Sequence, residues 1–110
     1  MRSVVAYVPD LMDRSKVAAA APGVTFVPRP DGLPAAVADA AADLDSDVTV
    51  VVDLTRPGVL EVLPSLAGRG RVVGFANHTA RQVLDDARAA GCDQVLARSA
   101  FFSRLEELLG

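Results

Sequence analysis

Two aspartates stand where carboxylates can do chemistry. Asp53 ends the β-branched run "DVTVVVD", residues 47–53, and Asp10 follows the apolar stretch "SVVAYV", residues 3–8. Carboxylates at the ends of neighbouring strands would hold a hard divalent cation such as Mg²⁺, which accepts a few carboxylates and keeps several waters. With a metal neutralising the incoming group, Asp53 would also serve as a nucleophile that forms an acyl-phosphate. Each residue has a structural alternative. Asp10 suits the N-cap of a following helix, and Asp53 suits the turn "LTRPG" that begins immediately after it.

Further polar candidates follow the other apolar runs. Thr55 and Arg56 come after the Asp53 strand, Asn77 and His78 after "RVVGFA" (residues 71–76), and Arg98 and Ser99 after "DQVLA" (residues 93–97). His78 would act as an acid or base, or simply be an exposed loop residue; Arg56 and Arg98 would attract an anion. Cys92 has no His near it in sequence and reads as a small core residue, not a nucleophile. The glycines of "AGRGRVVG" precede a strand, so they read as turn residues and not as a phosphate cradle.

The elements that must position these groups alternate between two apolar periods. Strands are expected over residues 3–8, 24–27, 47–53, 71–76 and 93–97. Between them the sequence predicts a helix capped by Asp10 and stopped by Pro22-Gly23, a helix over residues 34–44 with Pro34 in its first turn, and a helix over about 57–67 weakened by Pro64. Thr79 and Gln82 predict a capping box that opens the next helix, and Gly91 stops it. "SAFFSRLEELL" reads as a closing amphipathic helix, with Phe101, Leu105 and Leu108 on the sheet and Phe102 and Leu109 as candidate contacts for a partner or a homodimer.

Five strand–helix pairs with connections too short for hairpins imply right-handed crossovers and a parallel sheet with helices on both faces, an α/β doubly wound domain. In such a sheet, ligands collect at the carboxyl ends of the strands. The polar candidates above therefore converge on one rim.

Composition narrows the function. The 110 residues read as one domain, 51% hydrophobic with one Tyr, four Phe and no Trp, so the core is built from small and branched aliphatic side chains. A net charge of −3 without any Lys/Arg cluster argues against nucleic-acid binding. Neither a signal peptide nor an apolar run of membrane-spanning length is evident, so a cytoplasmic location without membrane contact is expected.

The chain resembles the receiver domain of bacterial two-component response regulators over nearly its whole length. "VVVDLTRPG" is similar to that family's third strand, phospho-acceptor aspartate and "D-x-x-x-P-G" loop; "AAGCDQVLARSAF" is similar to its "A-G-A-x-x-Y-L-x-K-P-F" ending; and "YVPDLMDRSKV" resembles its first strand, acidic pair and opening helix. The resemblance implies a flavodoxin-like sheet of order 2-1-3-4-5, a phospho-acceptor at Asp53 supplied by a histidine kinase, Mg²⁺ held by Asp10 and Asp53, and a hydroxyl residue plus a Lys that read the phosphoryl group.

The chain departs from that pattern at the rim. Pro9 replaces the first acidic residue, Ala76 the hydroxyl residue, Arg98 the Lys and Ser99 the following Pro, while the loop after Pro57 is shorter than the family's common version. A missing charge-assisted contact to a phosphoryl group forgoes on the order of 1.5 to 3 kcal/mol. The resemblance with these departures implies a pseudo-receiver: a non-catalytic signalling and interaction module whose partner is another signalling protein or a second copy. The alternative is a working single-domain regulator phosphorylated on Asp53 with Mg²⁺. A flavodoxin-like nucleotide or flavin binder follows only from fold analogy and lacks a phosphate loop.

Overall fold

The β-branched runs become the strands of a single sheet in the computed structural model, which describes residues 2–42 and 47–110. The strands are β1 (Arg2–Tyr7), β2 (Thr25–Phe26), β3 (Asp47–Asp53), β4 (Arg71–Ala76) and β5 (Gln94–Ala97), in the order β2-β1-β3-β4-β5. Every pairing is parallel, so each connection must cross a face of the sheet. The result is the expected flavodoxin-like doubly wound architecture.

Strand periodicity divides the core between the two faces. On one face Val5, Tyr7, Val50, Val52 and Leu54 pack with Leu33 and Val37 of α2 (Leu33–Ala41), Leu63 and Leu66 of α3 (Val59–Leu66), and Ala87 of α4 (Arg81–Ala89). On the other, Val4, Ala6, Val8, Val51, Val73 and Phe75 pack with Val17 of α1 (Leu11–Ala20), Phe101 of α5 (Arg98–Ser103), and Leu105, Leu108 and Leu109 of α6 (Leu105–Leu109). A strand buried on both faces has no reason to alternate apolar with polar residues, which accounts for the unbroken Val run of β3. Among the described residues no helix is long and apolar enough to cross a membrane.

The structure corrects the sequence reading in four places. Strand β2 is only two residues long, and α2 is described to Ala41, the expected residues 43 and 44 lying outside the described residues. Helix α3 continues through Pro64 and ends at Leu66, inside the expected span. The capping box of Thr79 and Gln82 does not form. Ala80 is the N-cap and no side chain caps α4. The Asn77 carbonyl accepts a hydrogen bond from the Ala80 N–H at 2.9 Å, and this turn carries the chain past Thr79 before the helix begins. Gln82 thus sits at the second helical position, not the third that the box requires, and its amide donates down the helix to Asp86 at 2.8 Å.

The fourth correction concerns the closing helix, which is two helices. Arg104, at φ −115° and ψ 17°, interrupts it between α5 and α6. The Arg104 N–H closes the first segment on the Phe101 carbonyl at 3.1 Å, and the Leu108 N–H opens the second on the Arg104 carbonyl at 2.9 Å. Leu109 is buried at 3% exposure alongside Leu105 and Leu108. Leu109 is therefore a core residue and not a surface contact.

Candidate functional site

Register sets the strand ends level with one another. Tyr7 pairs with Val52, Asp53 with Phe75, and Ala76 with Ala97, so the residues that leave β1, β3, β4 and β5 emerge along one edge, where open parallel sheets build their sites. Asp53 is the last residue of β3 and is 4% exposed. A carboxylate this buried must find partners. Its Oδ1 accepts the Thr55 hydroxyl at 2.7 Å and the Thr55 N–H at 3.1 Å, while its Oδ2 accepts the Arg56 Nε–H at 3.3 Å. Both oxygens of Asp53 are held by the turn that follows it.

Two close fits fix that turn. The Leu54 N–H donates to the Phe75 carbonyl at 2.9 Å, and the Leu54 side chain lies where a Cβ on Gly74 would stand, at 2.7–2.8 Å from that position. A glycine on β4 thus admits the residue that aims the turn. At the far end Gly58 adopts φ +87°, a left-handed conformation that a side chain would strain, and α3 begins at the next residue. The sequence "DLTRPG" is accounted for residue by residue: carboxylate anchor, buried plug, two donors, proline and left-handed glycine.

Asp10 takes its structural role. Its Oδ1 accepts the N–H groups of Met12 and Asp13 at 2.9 and 3.0 Å, capping α1. The Asp13 N–H, against a smaller opposing effect of desolvation, holds the Asp10 carboxyl below its ordinary value; the Met12 N–H and the charges of Arg98 and Arg56 add to this.

The residue that sequence reasoning missed is Asp13. It lies on α1 at 3% exposure, and Arg98 reaches it from 85 positions away: Nη1 donates to Oδ2 at 2.8 Å and Nη2 to Oδ1 at 2.7 Å. This is a two-pronged fork that a Lys ammonium could not reproduce. Asp13 holds the Arg98 guanidinium even more firmly in its charged form, with Asp53 and Asp10 as more distant contributors. Asp13 gave no sign in the sequence, because one acidic residue in a first helical turn is ordinary macrodipole chemistry. The only available signal was that it lies one turn from Val17, on the buried side of α1.

The remaining candidates separate from Asp53. Ala76 is buried at 1% exposure. Asn77, His78 and Ser99 are exposed and, with Lys16, Arg98 and Phe102, line a neighbouring cleft of about 420 Å³. Among the described residues Asp53 accepts hydrogen bonds only from Thr55 and Arg56. Phe102 is half-buried, set edge-on to Phe75 and Phe101, with the Lys16 ammonium and the Arg98 guanidinium 5.2 and 5.0 Å from its ring centre. The large apolar side chains that do stand exposed are Leu11 and Met12, at 74% and 73%, beside Asp10 at the start of α1. Cys92 is buried away from the rim, and burial pushes its thiol up to about 11, so it is no thiolate nucleophile at neutral pH.

The donor set does not suit Mg²⁺, which demands oxygen ligands at about 2.0–2.1 Å in near-octahedral array. Both oxygens of Asp13 and of Asp53, and one of Asp10, already accept hydrogen bonds. Among the described residues no three His, Cys, Asp or Glu side chains are grouped to hold a metal ion. No protein-family model matches the chain, and no curated protein matches it.

Proposed function

We propose that this chain is a receiver-like interaction module that has given up phosphotransfer: a non-catalytic doubly wound scaffold recognised by another signalling protein or by a second copy of itself. The observation that carries the reading is the Arg98–Asp13 fork, at 2.7 and 2.8 Å. The resemblance puts Arg98 where a cation would read a phosphoryl group on Asp53, and here that cation is bound to another carboxylate. Two further features support the reading. Ala76 offers no hydroxyl at the end of β4, and both Asp53 oxygens are engaged by their own turn. The exposed pair Leu11 and Met12 beside the rim supports recognition by contact.

Incubation of the full chain with acetyl phosphate and Mg²⁺, followed by intact-mass measurement, tests this reading. The expected result is no phosphoryl adduct. An adduct that Asp53→Asn abolishes would overturn the reading in favour of a working single-domain regulator, the alternative for which the buried carboxylate at the end of β3 speaks.

A further inference from the structure

We propose that the Arg56 guanidinium is a built-in counter-ion that takes the place of a divalent cation on Asp53, so that the rim keeps its arrangement without metal. Three carboxylates stand at this edge, and two of them, Asp13 and Asp53, have side chains only 4% and 6% exposed. Buried carboxylates persist in ionised form only when they are paired. Arg98 neutralises Asp13 through both of its oxygens. For Asp53 the positive partner is Arg56, whose Nε lies 3.3 Å from Oδ2, with the Thr55 hydroxyl and N–H completing the set on Oδ1.

The guanidinium is placed by local chain geometry. The Arg56 N–H donates to the Asp53 carbonyl and the Val59 N–H to the Arg56 carbonyl, each at 3.3 Å, so the turn returns residue 56 to the carboxylate from which it left. Pro57 restricts the backbone of the residue before it to extended conformations, which limits the directions in which Arg56 can leave the turn. A divalent cation on Asp53 Oδ2 would have to displace the guanidinium and then be repelled by it, since like charges a few ångströms apart at a partly buried site are weakly screened. Arg56 is itself 42% exposed, so it can be removed without opening the core. The inference concerns which ion neutralises Asp53 and does not depend on the interaction role proposed above.

The test is a MgCl₂ titration of the full chain to about 10 mM, a range that would fill a weak carboxylate site, against NaCl of equal ionic strength, read by amide chemical shifts. The wild-type protein is expected to show no saturable shift at residues 10, 53 and 55, and Arg56→Lys is expected to behave in the same way. Arg56→Gln, which keeps a polar side chain but removes the charge, is expected to gain a saturable Mg²⁺ response, with binding roughly tenfold tighter than the wild-type limit after allowance for solvent screening. Arg56→Gln/Asp53→Asn is expected to lose it. Saturable wild-type binding that Asp53→Asn abolishes, or an Arg56→Gln protein as insensitive to Mg²⁺ as the wild type, overturns the inference. A wild-type protein that binds Mg²⁺ yet takes no phosphoryl group would overturn this inference alone and leave the interaction reading standing.

Discussion

Arg98 and Asp13 are the pair on which the rim turns. The carboxylate is almost wholly buried, at 4% side-chain exposure, while the guanidinium is 43% exposed, so the two partners do not contribute alike. Removing the Arg leaves a buried charge without its counterpart, and its partial exposure brings the cost below that of a fully desolvated pair. Arg98→Ala is expected to lower unfolding free energy by about 1–3 kcal/mol. Arg98→Lys should recover only part of this, because an ammonium cannot serve both Asp13 oxygens in one plane. The double variant Asp13→Asn/Arg98→Ala should lose less than the sum of the single losses, with a coupling of about 1–2 kcal/mol. Urea denaturation of the wild type, Asp13→Asn, Arg98→Ala, Arg98→Lys and the double variant checks this, and strict additivity would mean that the fork contributes nothing to the fold.

At the scale of elements, the turn after β3 is held from below by β4. Gly74 leaves the space that Leu54 fills, so Gly74→Ala should force Leu54 off its rotamer and cost about 1–3 kcal/mol, with Leu54→Ala in the same chain restoring part of the loss; thermal melts of the wild type and the two variants read the outcome. The sheet and its helices were legible in the sequence because β-branched runs and helical apolar spacing follow from burial, and burial here is continuous along β1, β3 and β4. The Asp10 cap was legible for the same local reason. What escaped depends on where elements meet. The turn at Asn77 delays α4 past its supposed capping box, and the closing helix breaks at Arg104 although its apolar spacing runs on without interruption. Asp13 becomes a site residue only when β5 delivers Arg98 to it from the far end of the chain.

For the whole molecule, the five parallel strands bring three carboxylates and two guanidiniums to one edge and pair most of that charge internally. A ligand shifts a conformational equilibrium only by its differential contacts with the two states. Asp53 is tied to its turn and Arg98 to α1, so on the reading proposed above one conformation is favoured whatever is offered. The most direct measurement is the amide spectrum of the full chain with and without beryllofluoride and Mg²⁺. The account predicts that resonances of residues 53–58, 76–78 and 97–102 stay in place. A concerted shift across those three segments, abolished by Asp53→Asn, would contradict it.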